Sequence, residues 1–336
     1  MKRIVYHVAL FSLSLSITAC NDRPRSGDGP NESPAMQRNA VASTEKEPET
    51  TEKPAVPAEG KPQEPVEALK ALGATVKLDG EGNVIVVQIR DGKATDATAN
   101  LLVAMGSLKD LQLSGEQVTD AAIDSITKLD RLKVLKLDAT SVGDTGLEKL
   151  GSMESLEQVY LSGTKITDAG LAHLAALPRL RRLRISDTQV TGEGMRPLES
   201  VATLADLDVS KTGVDDRGLA HLKEIAALTN LNLYTTNVTD AGLDQVAVMT
   251  QLTWLNLDNT KITDAGLPKL KPLVNLQFLH VGRTAVSDAG IENLLGLKKL
   301  TRLEVTNTRV TEEGADKLRK ALPECEVLSG VTDAKS

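Results

Sequence analysis

The chain has 336 residues, a formal net charge of −7 and only two cysteines. An acidic balance without a polybasic run argues against nucleic acid or an acidic bilayer surface as ligand. Two cysteines exclude a disulfide scaffold.

Residues 1–19 read as a secretory signal peptide: Lys2 and Arg3 are positive, Ile4 to Ile17 is mostly apolar, and Thr18-Ala19 is small. The apolar stretch is too short for a comfortable membrane span. Ile17-Thr18-Ala19-Cys20 resembles the lipobox of bacterial lipoproteins. That resemblance implies cleavage before Cys20 and lipidation of its thiol; the alternative is an ordinary signal peptide with an incidental cysteine. Acyl chains would anchor the protein at about 0.8 kcal/mol per buried methylene. From Cys20 to residue 65 the composition is rich in Pro, Glu, Ser and Thr, with eight of the thirteen prolines and no aromatic residue. Such a segment buries too little apolar surface to order itself and reads as a disordered tether, about 35–40 Å from end to end.

Residues 66–83 read as an N-terminal cap. Val66 to Leu72 followed by Gly73 predicts a short helix with a glycine stop. Thr75 to Leu78 and Val84 to Ile89, joined by Asp79-Gly80-Glu81-Gly82, predict a hairpin.

From residue 84 to 323 a pattern of twenty-four residues recurs without insertion, opening at Leu108, Leu132, Leu156, Leu180, Leu204, Leu228, Leu252, Leu276 and Leu300. Its form is L-x-x-L-x-L-x-x-T-x-I/V-T-D-x-G-L. The L-x-L core alternates with period two, predicting a strand with leucines on one side and the intervening residues on the other. The second half, as in Thr239, Asp240, Gly242 and Leu243, predicts a short capped helix. No unit buries its leucines alone, so neighbours must stack. Residues 324–336 are the expected C-terminal cap and tail, with Glu324 to Leu328 covering the last open edge.

This repeat resembles the leucine-rich-repeat superfamily, and the opening A-L-x-x-L-G-A-x-V stretch resembles planctomycete members. The resemblance implies an α/β solenoid: a curved parallel sheet on the concave face and short helices on the convex face. It also implies protein–protein interaction. The threonine column from Thr140 to Thr308 is expected to bond loop backbone between successive turns. The aspartates Asp120, Asp144, Asp168, Asp216, Asp240, Asp264 and Asp288 are expected to cap helices, since they lack the clustered oxygens of a calcium loop.

No motif for a nucleophile, metal or phosphate occurs, and no catalytic, metal or cofactor site is expected. His173 and His221 share one helical position 48 residues apart, too far apart to share a metal, and read as solvated. Cys325 reads as a packed thiol. After the signal only Tyr160, Tyr234, Trp254 and Phe278 are aromatic, and all fall between inward leucines, on the concave face. Trp254 and Phe278 share a column, with Tyr234 and His280 in neighbouring ones. Clustered exposed aromatics favour binding; lateral packing that stiffens the sheet is the alternative. Arg182 and Arg184 fall beside Asp206 and Asp208, so cross-strand pairing is the simpler reading and an anionic ligand the other.

The expectation is an exported, membrane-anchored protein of the bacterial cell envelope that binds another protein through its concave face. Tyr160, Arg182, Arg184, Tyr234, Trp254, Phe278 and His280 are its candidate contacts. A carbohydrate-binding surface or a structural spacer is the alternative.

Overall fold

The computed structural model describes residues 63–331. The export signal, Cys20, nearly all of the tether and the last five residues lie outside the described residues. The first helix, α1, is Gln63–Ala71, beginning at Gln63 rather than Val66. Gly73 follows it at φ +85°, a conformation glycine adopts without steric cost. Strands β1 (Thr75–Leu78) and β2 (Val84–Ile89) pair antiparallel as the expected hairpin.

Every later pairing is parallel, and the twelve strands lie in one sheet in chain order. They continue as β3 (Asp110–Leu113), β4 (Val134–Lys136), β5 (Gln158–Tyr160), β6 (Arg182–Arg184), β7 (Asp206–Asp208) and β8 (Asn230–Asn232). Then come β9 (Trp254–Asn256), β10 (Phe278–His280), β11 (Arg302–Glu304) and β12 (Glu326–Leu328). β12 closes the last edge by joining the sheet as its final strand, in register with β11. Between strands the chain returns through short helices such as α2 (Asp96–Leu102), α3 (Asp120–Ile126), α4 (Asp144–Leu150), α5 (Asp168–Leu174) and α6 (Asp216–Leu222). Three returns tighten to a 3-10 helix, at Glu193–Ser200, Leu267–Leu270 and Glu292–Leu294; in the first, Pro197 lacks the interior N–H of an α-turn.

Between sheet and helices lies one apolar core. In a single repeat Val238, Leu243, Val246, Met249, Leu252, Leu255 and Leu257 are all 0% exposed. Each fully buried leucine contributes about 1.5–3 kcal/mol of transfer free energy, and the neighbouring turns on either side complete that burial.

The loops correct two expectations. The threonine column bonds its own turn: Thr140 Oγ1 donates to the Leu137 carbonyl at 2.7 Å, and Thr236 Oγ1 to the Leu233 carbonyl at 2.7 Å. A hydroxyl three residues along reaches the last strand carbonyl before it reaches the next coil. The aspartates, conversely, join neighbouring turns. Asp144 accepts the Thr167 amide at 2.9 Å and the Thr167 hydroxyl at 2.6 Å; Asp216 does the same with Thr239 at 2.8 and 2.6 Å. The cap itself is the preceding threonine, whose oxygen accepts from the second helical amide, as Thr167 does from Ala169 at 3.3 Å. The aspartate is therefore a clip to the next repeat.

That clip explains the glycine found two positions after most of these aspartates. Gly146 packs so closely on the clip of the preceding turn that a Cβ there would stand 2.6 Å from Asp120 Oδ1. At Gly242 a Cβ would stand 2.9 Å from Leu219 Cδ1 and 3.0 Å from Asp216 Cγ. The requirement is for space.

Candidate functional site

The pleat sends the residues between the inward leucines to the outer face of the sheet. In register across β6 to β10 one column reads Arg182, Asp206, Asn230, Trp254, Phe278, and the next reads Arg184, Asp208, Asn232, Asn256, His280. Leu183, Leu207, Leu231, Leu255 and Leu279 lie between them, buried. The sequence register of these columns is the one observed.

Trp254 and Phe278 stack with ring centroids 4.7 Å apart and planes 6° from parallel. That separation matches the spacing of neighbouring strands, about 4.8 Å, so the rings stand upright and face one another across the sheet. Phe278 meets His280 edge-on at 6.4 Å. These three form a half-buried ridge. Such pairs add about 0.5–1.5 kcal/mol beyond their area, so the ridge is rigid before any partner arrives.

Tyr234, expected between inward leucines, instead follows Leu233 beyond the end of β8 and does not join that ridge by ring contact. It lies under Arg283, whose guanidinium carbon is 5.0 Å from the ring centroid. Tyr160 stands at the other end of the face, with Lys136 at 5.2 Å and Arg184 at 5.7 Å from its ring. The seven residues singled out in the sequence thus form two groups, Tyr160 with Arg182 and Arg184, and Trp254 with Phe278 and His280, with Tyr234 beside the second.

Between these groups runs a trough of about 540 Å³, lined by Arg182, Arg184, Asp206, Leu207, Asp208, Asn230, Asn232, Trp254 and Asn256. Arg182 Nε donates to Asp206 Oδ2 at 2.9 Å, and Arg184 Nη1 stands 4.0 Å from Asp208 Oδ2. The Arg182 guanidinium is held above its usual range first by its hydrogen bond to the Tyr160 hydroxyl and then by Asp206. Two asparagine oxygens are fixed by backbone: Asn232 Oδ1 accepts the Tyr234 amide at 3.1 Å and Asn256 Oδ1 the Asp258 amide at 2.9 Å.

Sequence reasoning missed the polar cluster beside the ridge. Asp258, with a side chain 3% exposed, is clamped by Arg283, whose Nε donates to Oδ1 at 2.9 Å and whose Nη2 donates to Oδ2. Asp258 holds the Arg283 guanidinium well above its usual range. His280 Nε2 is buried, has no hydrogen-bond partner among the described residues, and lies 3.7 Å from Asp258 and 3.6 Å from Glu304. Burial pushes the His280 pKa down, against the pull of those two carboxylates. Gly282 makes the arrangement possible, because a Cβ there would come 2.6 Å from His280 Nε2. One signal was readable: Ser162, Ser186, Ser210 and Thr306 hold this place in other repeats. Arg283 gave none, since its φ of 49° follows from the loop geometry.

The remaining expectations concern single residues. His221 is not free in solvent: its Nδ1 bonds Glu199. His173 is half-buried. Cys325 is half-buried, and burial raises its pKa to about 11, so its thiolate is scarce at neutral pH.

No protein-family model matches the chain, and comparison with curated proteins finds no match. Among solved structures it is similar to an internalin (inlF) from Listeria monocytogenes, 21% identical with TM-score 0.50, over 82% of this chain and 92% of that one. It is also similar to internalin C2 (inlC2) of the same organism, 21% identical with TM-score 0.47, over 63% of this chain and 84% of that one. A third similar structure is a TDR receptor, 16% identical with TM-score 0.49, over 68% of this chain and 44% of that one. At these identities the likeness concerns the fold alone. Strand order, repeat length and the internalin likeness together make the described chain a leucine-rich-repeat solenoid.

Proposed function

We propose that this is an exported, membrane-anchored leucine-rich-repeat protein that binds another protein through the concave face of its sheet. The observation that carries the reading is the Trp254–Phe278 stack, a rigid aromatic ridge standing beside a trough lined mostly by polar side chains. Interface energy concentrates in such anchors, rich in Trp, Tyr and Arg, at about 2 kcal/mol or more each. Arg182, Arg184, Tyr160 and Tyr234 stand beside the ridge of Trp254, Phe278 and His280 as its polar and aromatic rim. Export and anchoring rest on the apolar N-terminal segment and on Cys20 as the lipidated residue. The role is binding, with no cofactor.

Crosslinking in intact cells followed by mass spectrometry identifies the partner. Capture of that partner should fall at least tenfold in the Trp254→Ala/Phe278→Ala double variant, and undiminished capture by a folded variant rejects the reading. Labelled fatty acid should enter the wild-type chain and be absent from Cys20→Ser; equal labelling removes the anchor.

A further inference from the structure

Trp254 has two faces, and only one is spoken for. Phe278, on the β10 side, covers one at 4.7 Å. The other looks across Asn230, its in-register neighbour on β8, and forms a wall of the trough. A flat indole face held upright from behind is a platform for a flat apolar surface of similar size.

The floor beside that platform is made of amide donors. Because the oxygens of Asn232 and Asn256 accept backbone amides, their Nδ2 groups are the ends left over, with no acceptor among the described residues. Asp206 and Asp208 add acceptors within the same trough.

Charge decides the class of ligand. The trough holds two guanidiniums and two carboxylates, paired across β6 and β7, so its formal charge is zero. Arg184 Nε is a buried donor without a hydrogen-bond partner among the described residues, open to a neutral hydroxyl; a full anion there would stand against Asp206 and Asp208, and a cation against Arg182 and Arg184. The fitting ligand is neutral and rich in hydroxyls. A peptide fits less well, since it is read through separate pockets for its alternate side chains, whereas this trough offers one platform and, apart from Trp254 and Leu207, a polar lining. A pyranose ring needs one apolar platform for its C–H face and hydrogen bonds around its rim, which is what the trough offers. Its volume of about 540 Å³ lies within the ~300–1,000 Å³ of small-ligand sites.

We infer that the trough between Arg184 and Trp254 is a subsite for a neutral sugar ring stacked on Trp254 and hydrogen-bonded by the Asn232 and Asn256 amides. This rests on the reading of the concave face as the binding face and names the chemistry taken there. The ring is either part of a free polysaccharide or a glycan carried by the protein partner.

Trp254 is the only tryptophan of the chain, so its fluorescence reports on this site alone. The full chain is titrated into the millimolar range with chitotetraose, cellotetraose and maltotetraose. At least one should give a saturable blue shift that high salt leaves unchanged. Asn232→Asp and Asn256→Asp keep the backbone-accepting oxygen, as Asp208 does for the Ser210 amide at 3.0 Å, but remove the free donor. Each should weaken the response about tenfold, the loss of one or two net hydrogen bonds. No saturable response to any of the three, a response abolished by salt, or one unaffected by both variants overturns the inference. Partner capture that depends on Asn232 without any oligosaccharide response makes the occupant a peptide and also overturns it, leaving the concave-face reading intact. Capture indifferent to Trp254 and Phe278 brings that reading down separately. Competition between oligosaccharide and partner places the ring on the partner's glycan; oligosaccharide binding without competition places it on a free polysaccharide.

Discussion

Gly192 and Asp215 depart from the repeat together. Gly192 stands where eight other repeats carry the clip aspartate, and Asp215 where most carry threonine. A Cβ on Gly192 would run into Asp215 Oδ1 and the Gly218 amide nitrogen, the latter at 3.0 Å. Asp215 instead caps its own helix, accepting from the Arg217 amide at 3.1 Å and the Gly218 amide at 3.4 Å. Gly192→Asp alone should destabilise the fold through overlap and like charge. Asp215→Thr alone should cost only about a few tenths of a kcal/mol, since threonine is itself a cap slightly weaker than aspartate. The double variant rebuilds the usual clip and should be more stable than the sum, with a coupling above about 1 kcal/mol by urea denaturation. Strict additivity would show that the two positions do not communicate.

The clip and its glycine make a second prediction. Asp216→Ala removes both bonds to Thr239 and should cost about 1–3 kcal/mol. Gly242→Ala should cost about 1–3 kcal/mol through crowding against Asp216 and Leu219. The cost stays moderate because Ala122 holds the same place opposite Asp96. A Gly242→Ala protein as stable as wild type in urea would refute the packing argument.

Strain in the loops should be removable. Lys211 is held at φ 56°, where a side chain costs roughly 1–2 kcal/mol and asparagine less. Lys211→Asn is therefore expected to raise stability by about 0.5–1 kcal/mol; a lower thermal midpoint contradicts this.

His280 gives a pH dependence with a defined sign. Its folded pKa lies below the ordinary value of 6.5, so the unfolded chain takes up the proton first as pH falls. Stability is then lost as pH drops below that ordinary value towards the folded one. His280→Gln should flatten the slope of thermal midpoint against pH between about pH 7 and pH 5, and an unchanged slope would deny His280 this role. The Asp288 carboxyl, held low by the Thr311 hydroxyl and amide, keeps its contribution until pH falls below its unfolded value of 3.8.

Register itself is testable. Leu255 is 0% exposed at the centre of β9, and Leu255→Ala should cost about 2–5 kcal/mol through the cavity it leaves. A neutral result would contradict the inward placement.

What could be read from the sequence was what repeats. An unbroken period of twenty-four placed Arg182 beside Asp206 and Trp254 beside Phe278, because parallel coils of equal length stay in phase. The aspartate clip was misread as a cap because its partner lies 23 residues away, and local pattern carries no information on how closely two loops approach. The threonine column was misread for the opposite reason, since its partner is only three residues back. Arg283 and Asp258 were invisible because positive φ falls on Ala139, Asp187, Lys211 and Arg283 alike. The backbone imposes that bend, and the residue types do not announce it.

The junction without a clip keeps its backbone ladder and carries charge pairs where the clip would be. Between the turn of Gly192 and the turn of Asp215 run Arg182–Asp206 at 2.9 Å, Arg184–Asp208 at 4.0 Å, Arg217–Glu193 at 3.3 Å, and the His221–Glu199 contact. Exposed ion pairs contribute about 0–1 kcal/mol each and fade as salt rises, whereas the other joints keep hydrogen bonds between carboxylate and backbone. Raising the ionic strength should therefore loosen this coil at one seam first, and that seam crosses the polar hollow beside Trp254.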